Sequence, residues 1–158
     1  MKKLVMLVIA AASAVVLTGC GNSSEKLVKS YIEVLRSDDD TKMEQFCKDH
    51  GAEGKIEVDI KDDLLDQMKS PRHKIVTARK MSAYVKEASG TVTFVSATIT
   101  GNTLYDGATV YFATVKSEGK NEKIAGASSD ERQAKDQMKK LEEEYKKGDG
   151  EVTNFQKY

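Results

Sequence analysis

Read from the amino end, apolar residues first form one block, then recur at helical spacing, then alternate, and return to helical spacing near the end. The block covers residues 4–17, broken only by Ser13; Lys2 and Lys3 precede it, and Thr18 and Gly19 follow. Leu27, Val28, Tyr31, Ile32 and Leu35 then fall at i, i+1, i+4, i+5 and i+8. That single apolar stripe predicts a helix over 25–36, with Ser23 or Ser24 as its cap. Ser37-Asp38-Asp39-Asp40 breaks it. Thr41 and Glu44 read as a capping box for a second helix, which turns Met43, Phe46 and Cys47 inward and ends before Gly51 and Gly54. Residues 55–61 fit two patterns. Ile56, Val58 and Ile60 alternate like a strand, whereas Ile56, Ile60, Leu64, Leu65 and Met68 also suit a helix. A short helix is expected over 62–69, with Pro71 marking the exit to a loop.

From residue 73 the period changes to two. Ile75, Met81, Ala83 and Val85 share one parity against Lys80, Ser82 and Lys86. Ser89-Gly90 is a turn, and residues 91–100 are rich in β-branched side chains, with a parity switch between Phe94 and Val95. Such a switch implies a bulge or burial on both faces. Gly101-Asn102 and Asp106-Gly107 signal the next turn, and Val110, Tyr111, Phe112 and Val115 mark a strand over 108–115. After a turn at 117–121, residues 122–127 form a last short strand, completing an antiparallel meander. Ala134, Met138, Leu141 and Tyr145 then step by four, three and four along a final helix over 130–147, begun by the Asp130–Gln133 capping pair. Its stripe is narrow and suits a helix lying on the sheet or its edge. Gly148-Asp149-Gly150 ends it, leaving residues 151–158 as a tail. The expected fold class is α+β: N-terminal helices packed on one face of a curved antiparallel sheet of about four strands, plus an extra C-terminal helix.

Composition narrows the setting. Positively charged residues, an apolar run shorter than the roughly 20 residues that span a bilayer, and small residues after it make the layout of a secretory signal over 1–19. The sequence Leu17-Thr18-Gly19-Cys20 resembles the lipobox of bacterial lipoproteins. The resemblance implies cleavage before Cys20, a thiol carrying diacylglycerol, an acylated amine, and hence a membrane partner reached through the N-terminal lipid. Two or three chains anchor stably where one is marginal, at about 0.8 kcal/mol per buried CH₂. The segments expected are the signal at 1–19, lipidated cysteine and tether at 20–24, an α+β domain at 25–128, and the C-terminal helix and tail at 129–158. A tether of four residues reaches at most about 14 Å. Gly21 in place of aspartate leans toward the outer membrane of a Gram-negative cell; in a Gram-positive cell the anchor lies in the outer face of the plasma membrane.

Charge is balanced, at 25 basic and 25 acidic residues in 158, and no nucleic-acid motif is present, so nucleic acid is not an expected partner. With Cys20 consumed by lipid, Cys47 has no partner for a disulfide within the chain.

Two further segments carry a family likeness. Residues 27–39 look like the opening helix of small bacterial lipoproteins with a nuclear-transport-factor-2-like domain, in which a polar break and second helix follow. Residues 106–116 are similar to their penultimate strand, and Lys123-Ile124 to the start of the last. The likeness implies a cystatin-like roll, a cone whose open end can hold a small ligand. This chain lacks the tryptophan such domains often place before the last strand, and its C-terminal helix is extra.

Chemistry is sparse along the chain. The enzymes of that group use inward aspartate and histidine, and only His50 and His73 are present here. Neither has a second histidine or a cysteine at metal-ligand spacing, although His50 lies three residues after Cys47. Asp38-Asp39-Asp40 lacks the alternate oxygen ligands, glycine and distant glutamate of a calcium loop. No catalytic residue and no cofactor is therefore assigned. Tyr84, Phe94 and Tyr111 are the residues that would line an open mouth, suited to a small apolar ligand or a protein segment. The expectation is a non-catalytic binding or structural module held at the envelope membrane. The alternatives are a small-ligand carrier or pocket enzyme using the cone, and a protein-interaction module using the C-terminal helix.

Overall fold

The computed structural model describes residues 23–101 and 104–158, so the signal, Cys20 and the chain up to Asn22 lie outside the described residues. Helix α1, Ser23–Arg36, buries Val28, Tyr31, Ile32 and Leu35 along the expected stripe, with Glu25 in its first turn and Arg36 in its last. Those end charges match the helix dipole. Arg36 Nε donates to the Met68 carbonyl at 3.1 Å, tying the far end of α1 to the segment beyond residue 67. Asp38 takes up a left-handed φ of 52° in the following turn. Helix α2, Asp40–His50, then starts one residue before the expected box: its cap is Asp39, whose carboxylate accepts from Lys42 N at 3.0 Å. Aspartate is at least as good a cap as threonine and stands nearer the break.

At the other end of α2, Gly51 N donates to the Cys47 carbonyl at 2.8 Å. A Cβ on Gly51 would lie 2.5 Å from that oxygen and from the Lys55 backbone, so only glycine fits this close return of the chain. Residues 55–61 resolve as a strand, β1 (Glu57–Asp59), followed by the expected helix α3 (Asp62–Lys69), which buries Leu64 and Met68.

The meander follows as β2 (Lys74–Val85), β3 (Gly90–Thr100), β4 (Thr109–Ser117) and β5 (Lys123–Ser128). Helix α4, Glu131–Lys147, begins at the expected cap, with Asp130 Oδ1 accepting from Gln133 N at 3.1 Å. The expected tail is instead a strand, β6 (Val152–Lys157). The described residues thus form an α+β fold of four helices and one mostly antiparallel six-stranded sheet, ordered β1-β5-β4-β3-β2-β6. Two strands extend the expected four: β1 joins β5 in parallel, and β6 joins β2 antiparallel. Neither was legible as a pairing, because β1 is three exposed residues and β6 carries an irregularity at its centre, where Ser82 pairs Gln156 but Tyr84 pairs Thr153.

Both faces of the sheet are buried. On the first, Val95, Ala97, Ile99, Val110, Phe112, Ile124 and Ala127 meet Val28, Tyr31, Ile32, Leu35, Phe46, Leu64 and Met68 from α1, α2 and α3. On the second, Met81, Val92, Phe94, Ala113, Val115 and Ala125 meet Met138 and Leu141 of α4. The N-terminal helices thus share one face and the C-terminal helix covers the other, since central strands that are apolar on both sides need a layer over each.

The parity switch in β3 reflects this two-sided burial, while the irregularity itself lies in the neighbouring strand. Arg79 pairs Val95 but Met81 pairs Phe94, so Lys80 is the extra residue. Beyond it the faces exchange: Ile75 packs with the first cluster, whereas Met81, although of the same parity, packs with the second. A second shift places Ala113 opposite Gly126 but Thr114 opposite Ile124, leaving Ala125 as the extra residue in β5.

Candidate functional site

The three residues expected at an open mouth do not converge. Tyr84 pairs Thr91, which puts it on the first face, past the Lys80 bulge. Phe94 is 4 % exposed and lies in the second cluster beneath α4. Tyr111 pairs Ser96, also on the second face, and its hydroxyl meets Glu131 at the start of α4. Cys20 lies outside the described residues.

Between helices and sheet on the first face, the interior is occupied by the protein's own rings. Tyr31 sits edge-on to Phe46 at 6.0 Å and to Phe112 at 5.4 Å between ring centroids. Burial, with a smaller effect from Cys47, pushes the Tyr31 hydroxyl up to about 12. Cys47 and His50 share helix α2. The thiol is pushed up by burial and the imidazole lies 4.6 Å from the Phe46 ring, centroid to centroid. His73 Nε2 bonds Gln67 Oε1 at 2.9 Å. Among the described residues no group of three or more histidine, cysteine, aspartate or glutamate side chains is arranged to hold a metal ion.

Two polar constellations remain. The first is an open groove of about 700 Å³ where β1 and β5 end and α4 begins, lined by Asp59, Lys61, Ser129, Asp130, Glu131, Arg132 and Lys135. Several of its groups are already engaged. Lys135 Nζ lies 2.6 Å from Glu131, holding that carboxyl below its ordinary range, and Asp130 is engaged in capping α4. Ser129 Oγ accepts from Lys61 N at 3.1 Å and Ser129 N donates to the Asp59 carbonyl at 3.0 Å. Burial, then the charge of Glu131, raises the Tyr111 hydroxyl at the rim. With acidic and basic groups interleaved, the groove concentrates neither sign of charge.

The second lies at the opposite end of the sheet and was invisible in the sequence. The Glu122 carboxylate accepts hydroxyl hydrogen bonds from Ser23 and Ser24, 99 and 98 residues away, and from the fully buried Thr114 at 2.6 Å. The serines expected to cap α1 thus bind a carboxylate across the fold, and a carboxylate at a helix start is favoured by the dipole. Beside it, Lys123 Nζ reaches the Asp49 carbonyl near the end of α2. The start of the first helix is thereby pinned to the β4–β5 connection.

Compared with known proteins, the chain matches no family model, no curated protein and no solved structure.

Proposed function

We propose that the chain is a lipid-anchored protein of the bacterial envelope whose folded part serves as a non-catalytic binding or structural module. The carrying observation is the lipobox-like Leu17-Thr18-Gly19-Cys20 behind a basic start and an apolar run. Its support from the fold is that α1 is already helical at Ser23, three residues past the cysteine, so the folded body begins beside the anchor. The cystatin-like roll belongs to the same proposal. What favours it is the order of three helices followed by the β2–β5 meander; β1, α4 and β6 are additions to that plan. Tyr31, Phe46 and Phe112 fill the space where a ligand of such a roll would sit, which favours a structural or surface-binding role over a carrier or pocket enzyme. Helix α4 lays Met138 and Leu141 on its own sheet, and its outer side carries lysine–glutamate pairs such as Lys139–Glu143. A partner that uses α4 would therefore meet a charged surface.

The test is the mass of the N-terminal peptide of protein purified from bacterial membranes. Cleavage before Cys20 and the added mass of two or three acyl chains are expected, and Cys20→Ser should leave the membrane fraction. An unmodified thiol, or a retained Met1, overturns the reading.

A further inference from the structure

Two facts meet at the start of α1. Only Gly21 and Asn22 separate Cys20 from Ser23, so the Ser23 backbone stays within about 11 Å of the lipid-bearing residue even when those residues are fully extended. Ser23 and Ser24 are fixed, through Glu122 and Thr114, to the connection between β4 and β5. A bilayer holding Cys20 therefore holds one particular end of the sheet.

Resting on the lipid-anchor reading, we propose that the end of the sheet formed by the turns at 86–89 and 118–122 sits against the phospholipid headgroups, with the strands standing away from the bilayer. Helix α1 starts at this end beside Glu122 and finishes beside Met68, a run of 14 residues or about 21 Å. Strand β3 starts here too, and its 11 residues carry the chain about 35 Å to the far end. The far end holds the start of α4 and its groove, because β1 and β5 end where α4 begins. The groove thus points away from the membrane and stays open to protein or solute outside it.

The charges of the seated end decide what kind of lipid contact this is. The two turns carry Lys86, Glu87, Glu118, Lys120 and Glu122, and beside them lie Asp149 and Glu151 with Lys146 and Lys147 at the end of α4, so neither sign dominates. Lys86 is paired with Glu151 at 3.0 Å. Seating is set by the anchor and the pinned helix rather than by attraction to anionic lipid, and it is insensitive to vesicle charge.

The test uses the full lipidated protein in vesicles of phosphatidylcholine and phosphatidylethanolamine doped with a headgroup-linked quencher. In a Cys47→Ala background, a fluorophore is placed by Glu118→Cys or, at the far end, by Arg72→Cys. The Glu118 label should be quenched several-fold more strongly, with no change when anionic lipid is added. Insertion of about ten glycine and serine residues between Asn22 and Ser23 adds roughly 18 Å of flexible reach and should erase the difference while leaving the fold intact. Equal quenching of the two labels on protein whose acyl mass is present overturns this orientation alone. Protein lacking the acyl mass overturns the anchor and the orientation together.

Discussion

On one face of the sheet, three helices bring Tyr31, Phe46 and Met68 onto Phe112 and Ile99, all large and all buried. On the other, a single helix lays the half-buried Met138 and Leu141 over Phe94 and Met81, among the small side chains Ala88, Ala113 and Ala125. The second layer is thinner and finishes in polar contacts at its margin. Glu142 is held by Lys146 at 2.8 Å and Lys157 at 2.6 Å, and Tyr145 stacks on Phe155 at 5.3 Å. Since buried apolar area is the main stabilising term, the difference teaches that α1–α3 and the sheet form the part on which stability rests. The α4–β6 layer is the part able to loosen first.

The largest effect that would break this comparison is a truncation on each face. Phe112→Ala should destabilise by about 3–5 kcal/mol in denaturant unfolding, because the emptied site is walled by Tyr31 and cannot collapse easily. Leu141→Ala, only half-buried, should cost about 1–2 kcal/mol. Equal losses would mean that the two layers are energetically alike.

Alkali should act next, through Tyr31 on the first face. Burial raises the Tyr31 hydroxyl from 10.0 to about 12 in the folded state. The neutral form is favoured inside, so this contribution is complete below pH 10 and disappears as pH climbs toward 12. A two-unit shift corresponds to something on the order of 2–3 kcal/mol. Tyr31→Phe should remove that part of the alkaline decline, as read from melting temperature against pH; an unchanged decline would sink the assignment.

Acid should produce the smallest change, read at Glu142 on the second face. Hydrogen bonds from Lys146 and then Lys157 lower the Glu142 carboxyl from 4.5 to about 2. Its stabilising effect is therefore present above about pH 4.5 and fades as pH falls toward 2. Amide exchange in β6 should quicken over that window while β3 is unaffected, and Lys157→Ala should flatten the response. High salt should mute it as well, because the group is partly exposed.

The sequence made these regions legible to different depths. The stripe of α1 and the Asp130–Gln133 cap of α4 were readable because each is a local pattern that the structure satisfies locally. The two-sided burial of β3 was readable from Phe94 next to Val95, since no single-faced strand buries neighbours. The Lys80 bulge was not: Ile75 and Met81 share a parity, and only the pairing with β3 shows that they part company. The parallel partner of β1 lies about 70 positions away, and the far-side placement of α4 depends on its packing against β3 and β4, earlier in the chain. Tyr84, Phe94 and Tyr111 share aromatic character and strand positions in the sequence, and the register separates them. Glu122 looked like one glutamate among many because its three hydroxyl partners include two at the other end of the chain.

Placing β6 about 70 residues after the strand it covers sets the timing of assembly. Met81 to Val85 have their outer partners only once residues 152–157 have left the ribosome. Until then the β2 margin offers bare amides and carbonyls to any neighbouring strand. Loss of residues 152–157 would leave that margin uncovered for the protein's whole lifetime and make it a template for aggregation.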